Sequence, residues 1–143
     1  MILDDSVYRI MVENAFDIAT ILEADGTIRY ESPAVQPVLG YRPEELEGHN
    51  AFEFIHPDDH QRVQSHLTQV VLGITAGSGI VFRFRHKEGW WKQLEATGTN
   101  MLNDPLVKGI IVNSRDISPR MNESLHKSNG TGVKTSSAAA GSS

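Results

Sequence analysis

The densest run of side chains able to do chemistry is His56-Pro57-Asp58-Asp59-His60. Two histidines with carboxylates between them are the kind of set that holds a divalent metal, so a metal-dependent enzyme built around His56 and His60 is one reading. The proline changes the geometry. It suits the first position of a helix, which puts His56 at or before the helix start, so the two rings need not share a helix face. The same residues then read as a helix cap, with both aspartates near the positive end of the dipole. The rest of the reactive inventory is sparse. With no cysteine in the chain, disulfides, thiolate metal sites and thiol nucleophiles are excluded. No serine, histidine and aspartate stand in a nucleophile-elbow or triad context, and no glycine-rich loop has phosphate-cradle spacing. Isolated carboxylates such as Glu53 and Glu95 read as surface residues. Arg83, Arg85 and Lys87 alternate along one stretch and form a basic row on the outward face of a strand, read as solvated with cross-strand ion pairs.

The elements that must position these residues follow from periodicity. Residues 1–16 read as an amphipathic N-terminal helix, capped by Ser6, with Tyr8, Met11, Val12 and Ala15 on one face. A strand over Ile18–Leu22 returns as Ile28–Ser32 through Asp25-Gly26, where glycine tolerates the positive φ of a hairpin turn. Short helical turns follow around Val35–Leu39, Pro43–Leu46 and Ala51–Ile55, broken by Gly40 and Gly48. Pro57 opens the longest helix, whose apolar stripe is Val63, Leu67, Val70 and Val71, with Gly73 as its stop. Three strands close the domain. In Ile80–Lys87, Phe82, Phe84 and His86 share a face. In the next, Leu94, Ala96 and Gly98 face one way, and Trp91, Gln93, Glu95 and Thr97 the other. In Val107–Asp116, Ile110 and Val112 share a face. Residues 119–127 read as the start of an outgoing helix, and 128–143 as a disordered tail or linker too poor in apolar residues to order itself.

The 143 residues suit one domain with a tail. A formal net charge of −5 argues against a general nucleic-acid binder. No apolar run reaches membrane-span length, and Met1-Ile2-Leu3 is followed at once by Asp4-Asp5, so no membrane insertion and a cytoplasmic location are expected.

In this order and spacing, DGTIRYESPA, LGYRPEELEG, FIHPDD, HKEGWW and RDIS resemble a PAS domain over roughly Val7 to Ser118, with 17–118 as its core. The resemblance implies an α+β fold: a five-stranded antiparallel sheet with short helices and one longer helix packed on one face. It also implies signalling rather than turnover, beside an effector such as a histidine kinase in a two-component system. It does not name a ligand. Light-sensing flavin members carry a GxNC motif; the matching stretch here is Gly48-His49-Asn50-Ala51, and alanine cannot form the photoadduct. Phe84, Leu94 and Ser114 match the places where those members put amides against the flavin edge. Haem-binding members hang iron from a histidine on the long helix; Val63 stands there, with His66 one turn away. Haem and flavin are therefore disfavoured, and no other cofactor is expected.

What remains is an apolar interior lined by Phe52, Phe54, Ile55, Val70, Phe82, Phe84, Leu94, Ile110 and Val112, with small Ala96 and Gly98 leaving space. Either neighbouring aromatics fill it, since native interiors are close-packed, or it takes an apolar small molecule oriented by His86 or Ser114. Tyr8, Met11, Val12 and Trp91 are expected to cover the outer sheet face or to pair with a second subunit, as a homodimer or with a partner signalling domain. Asp116, Ile117 and Ser118 would tie the last strand to the outgoing helix and carry the signal out. The expectation is a non-catalytic sensory module. A ligand-free dimerisation module is the alternative.

Overall fold

A computed structural model of the chain describes residues 17–74 and 79–118; the expected segments 1–16, 119–127 and 128–143 lie outside the described residues. Five strands, β1 (Ile18–Leu22), β2 (Ile28–Glu31), β3 (Gly79–Arg85), β4 (Trp91–Met101) and β5 (Gly109–Asp116), form one antiparallel sheet in the order β2-β1-β5-β4-β3. Between β2 and β3 run α1 (Val35–Leu39), α2 (Pro43–Leu46), two 3-10 turns (Ala51–Glu53 and Pro57–Asp59) and α3 (His60–Val71). The PAS-type α+β architecture expected from the sequence is the one observed.

Local chemistry sets these boundaries. Asp25 accepts the Thr27 N–H at 2.9 Å and Gly26 takes φ +94°, which closes the β1–β2 hairpin. α1 ends on Gly40 at φ +84°, where even a methyl group would lie 2.7 Å from the His86 ring. Pro43 opens α2, and Glu45 reaches back to the Arg42 N–H at 2.7 Å. Asn50 accepts from Phe52 N at 3.0 Å, and His56 Nδ1 accepts from Asp58 N at 3.1 Å, each capping the turn that follows it.

The crossover segment also solves the problem of open sheet edges. On the β2 side, Ile28 N donates to His49 O and Gly48 N to Ile28 O. On the β3 side, His56 N donates to Arg83 O and Arg85 N to Phe54 O. Residues 48–56 thus bridge from one edge strand to the other and close a space beneath the sheet. A main core of Ile18, Ile28, Val35, Leu39, Leu46, Phe54, Phe82, Phe84 and Leu94 fills most of that space. A second cluster, Ile21, Val107 and Ile111, is fully buried on the opposite face.

Candidate functional site

Between the sheet and α3 lies a chamber of ≈ 100 Å³. Strand alternation aims Phe82 and Phe84, then Leu94, Ala96 and Gly98, then Ile110, Val112 and Ser114 into it, while Phe52, Ile55 and Val70 come from the crossover and the helix. Of the residues expected to line it, Phe54 does not. The turn Ala51–Glu53 ends on it, and its carbonyl is held by Arg85 N along the β3 edge. Its ring stacks on Phe84 at 5.5 Å and meets Tyr41 edge-on at 5.5 Å, so it backs the wall rather than facing the space. His86 is also outside. β3 stops at Arg85, the alternation ends there, and the imidazole stacks on Trp90 at 4.3 Å while Nδ1 accepts from Glu88 N.

The lining carries four polar side chains: Thr20, Glu31, His66 and Ser114. Glu31 is 5% exposed. Burial pushes its carboxyl up to about 8; a hydrogen bond from the Thr20 hydroxyl opposes the shift, and the Glu47 carboxylate adds to it. Glu47 Oε2 also accepts the Glu31 N–H at 3.0 Å. His66 Nε2 is buried with no hydrogen-bond partner, one of two such side-chain atoms among the described residues, the other being Asn113 Oδ1.

Sequence reasoning did not place Glu31 at the site, and it named His66 only as the histidine one turn from the haem-ligand position. Plain alternation from Ile28 puts Tyr30 inward and Glu31 outward. A register shift opposite Ile21 and Leu22 inserts Arg29 as an extra residue, so Ile28 and Glu31 both face the chamber. For His66 a signal existed: Val63, His66, Leu67 and Val70 are one stripe at helical spacing, and all four line the chamber.

The histidine–aspartate run does not converge on a common point. His56 caps its turn and lies against Trp91 at 4.6 Å, whereas His60 Nε2 pairs with Ile55 O at 2.7 Å and meets the Phe52 ring edge-on. Among the described residues, no group of three or more histidines and acids could hold a metal ion. Asp59 is not a solvated dipole partner. It is 5% exposed and grips Arg83 through both oxygens, with Nη2 to Oδ1 at 2.8 Å and Nε to Oδ2 at 3.1 Å. That guanidinium holds its carboxyl far below the usual carboxylate range.

At the far end of β5, Asp116 bridges Lys92 Nζ at 2.8 Å and accepts Ser118 N at 2.8 Å, and Ser118 Oγ accepts Gln93 N at 2.7 Å. Burial works against the charged form of Asp116, but the Lys92 ammonium and the Ser118 donors hold its carboxyl below the usual range. Ile117 N donates to Gln93 O, which pins the three expected exit residues to β4. Trp91 is 40% exposed on the outward face; Tyr8, Met11 and Val12 lie outside the described residues.

The family model described as the PAS fold matches residues 28–109. The chain is 37% identical over 90 residues to white collar 2 protein of Neurospora crassa, covering 62% of this chain and 16% of that one. It is 34% identical over 91 residues to blue light receptor lreA of Aspergillus flavus, covering 64% of this chain and 10% of that one. Among solved structures, the PAS-B domain of Drosophila melanogaster Cycle, with bound ethylene glycol, superposes at a TM-score of 0.60 with 19% identity, covering 70% of this chain and 99% of that one.

Proposed function

This chain belongs to the PAS-fold family, and from that premise we propose that it is a non-catalytic sensory module whose chamber takes an apolar small molecule and whose Asp116–Ser118 junction passes the result to an effector. The observation that supports this reading is the chamber itself, a space beneath the sheet whose walls are apolar apart from four polar side chains. A close-packed interior leaves few voids larger than a water molecule. The relatives by sequence include a protein named as a light receptor, which fits a sensory role.

Neither haem nor flavin fits these walls. A site for a drug-sized ligand runs to about 300–1,000 Å³, against ≈ 100 Å³ here. Val63 offers no iron ligand, Ala51 offers no thiol, and of the three positions matched to the flavin edge Phe84 and Leu94 give no donor or acceptor, leaving the Ser114 hydroxyl alone.

The chain spans 16% of white collar 2 and 10% of lreA, so the effector is read as a separate domain or partner chain, with a histidine kinase among the classes the sequence leads one to expect. Among the described residues no helix is long and apolar enough to cross a membrane, and a cytoplasmic site of action is part of the proposal. The test is native mass spectrometry of gently purified protein. A stoichiometric small molecule supports the sensor; ligand-free protein that takes up no compound from a fragment library overturns it.

One observation favours a second reading, an interaction module. Trp90 and Trp91, neighbours in the chain, keep 55% and 40% exposure, aromatic surface suited to a homodimer or a partner signalling domain. Sedimentation of the chain and of a Trp90→Ala, Trp91→Ala double variant tests it: a concentration-dependent dimer lost in the variant supports the reading, and a monomer at all concentrations removes it.

A further inference from the structure

Two features of the chamber are hard to explain as packing alone. His66 Nε2 is sealed from solvent with nothing to bond to, although a buried polar atom left unsatisfied ordinarily costs free energy. Glu31 is a carboxyl placed against hydrocarbon, accepting from Thr20 Oγ1 and from the Ser32 backbone and facing the chamber with its remaining hydrogen-bonding capacity. Both belong to one continuous lining built, apart from the hydroxyls of Thr20 and Ser114, from aliphatic and aromatic groups, with Ala96 and Gly98 keeping it open. A hydrocarbon-only occupant would leave both polar groups as they are. An occupant with a hydroxyl or amide would satisfy them.

We propose that the chamber binds a compact, uncharged amphipathic molecule, a small cyclic or branched alcohol or amide, whose hydrogen-bonding groups meet the Glu31 carboxyl and His66 Nε2 while its hydrocarbon lies against Phe82, Leu94 and Ile110. This rests on the reading of the chamber as a ligand site and specifies its chemistry. The size limit is narrow: an apolar protein cavity of about 150 Å³ takes one benzene, so this chamber suits a single small ring. The charge limit follows from the walls, because neither an ammonium nor a carboxylate would find water or a full ion pair inside.

Binding is also expected to depend on pH, because Glu31 is held neutral up to about 8 and must donate its proton to act as a hydrogen-bond donor. The titratable groups in the lining are Glu31 from β2 and His66 from α3. β1 presents Thr20 and β5 presents Ser114, neither titratable in this range, and Glu47 is the charged neighbour touching the Glu31 backbone. Glu31→Gln keeps the shape and removes the titration, which separates its role from that of His66.

The experiment uses the full chain and three probes of one shape: cyclopentanol, cyclopentane and cyclopentylammonium. Each is titrated by NMR at pH 6.5 and pH 9.5 into the wild type, Glu31→Gln and His66→Leu, with folding checked in every spectrum. At pH 6.5 cyclopentanol should bind about tenfold more tightly than cyclopentane, the effect of one hydrogen bond to a buried neutral group. That preference should fall in His66→Leu, shift between pH 6.5 and pH 9.5 in the wild type, and stay the same at both pH values in Glu31→Gln. At pH 6.5, equal binding of alcohol and hydrocarbon would overturn the polar anchor while leaving the chamber a ligand site, and tightest binding of the ammonium would overturn the uncharged class. If no probe enters while the protein is folded, the ligand-site reading falls together with this one.

Discussion

Asp59 and Arg83 are joined three ways: two bonds from the guanidinium and a third from Arg83 N to Asp59 Oδ2 at 2.9 Å. The pair fastens the start of α3 to the edge strand β3, at the point where the crossover segment must close the chamber. Arg62, one turn along α3, adds a second cation at 3.3 Å.

Asp59→Asn should therefore destabilise the domain by about 2–3 kcal/mol, the range for a hydrogen bond to a charged group whose partner is left behind. The sign with pH is fixed. The folded-state value lies below the ordinary 3.8, so the contribution is complete above that value and is lost as pH falls through the folded-state value. Urea denaturation at pH 7 and pH 3 checks this: the gap between wild type and variant should narrow in acid.

Glu31 runs the other way. Its folded-state value is raised from 4.5 to about 8, so the folded protein holds a proton that the unfolded chain has released. Stability is highest below pH 4.5 on this account and declines as pH rises towards 8. Glu31→Gln should flatten the decline and leave the variant more stable than wild type at pH 9. Thermal melts from pH 5 to pH 9 measure it; parallel curves for the two proteins would show that Glu31 is not the titrating group.

Ala96 borders open space, so Ala96→Leu should cost less than about 1 kcal/mol, whereas overpacking a filled core costs about 1–3 kcal/mol. The same substitution should abolish uptake of any small molecule. Denaturation and ligand titration on one preparation check both halves.

Gly109 tolerates no side chain. A Cβ there would lie 2.5 Å from the Arg29 guanidinium and 2.9 Å from Leu22 O, because Arg29 reaches across to bond the Val107 and Lys108 carbonyls. Gly109→Ala should destabilise by about 1–3 kcal/mol. Much of the loss should remain in an Arg29→Ala background, since the backbone contact stays.

Lys92→Met should free the end of β5. Asp116 keeps Ser118 N but loses its ammonium partner at 2.8 Å. Amide exchange at Gln93 and Ile117, whose N–H groups bond Ser118 Oγ and Gln93 O, should quicken several-fold while the amides of β1 stay protected. Unchanged exchange at both would show that the junction is held without the ion pair.

What the chain determined by itself is local and periodic. Alternation in β3, β4 and β5 placed Phe82, Leu94 and Ile110 on the inner face, and Gly26, Gly40 and Pro57 marked the turns and the start of the long helix, because glycine alone takes positive φ freely and proline fixes φ wherever it stands. The tertiary structure decided what depends on partners far apart in sequence. Register across β1 and β2 turned Glu31 inward, since one extra residue in a strand reverses the faces of all that follow. The docking of the crossover against β3 converted Asp59 and Arg83 from surface charges into a clasp and turned Phe54 into a backing for Phe84. The folding of α3 over the sheet sealed His66 Nε2 beside a space that no neighbour fills. A pattern of residue types records which face is apolar; it does not record which distant atoms will meet across that face, and that distance is where the chemistry of this chamber is set.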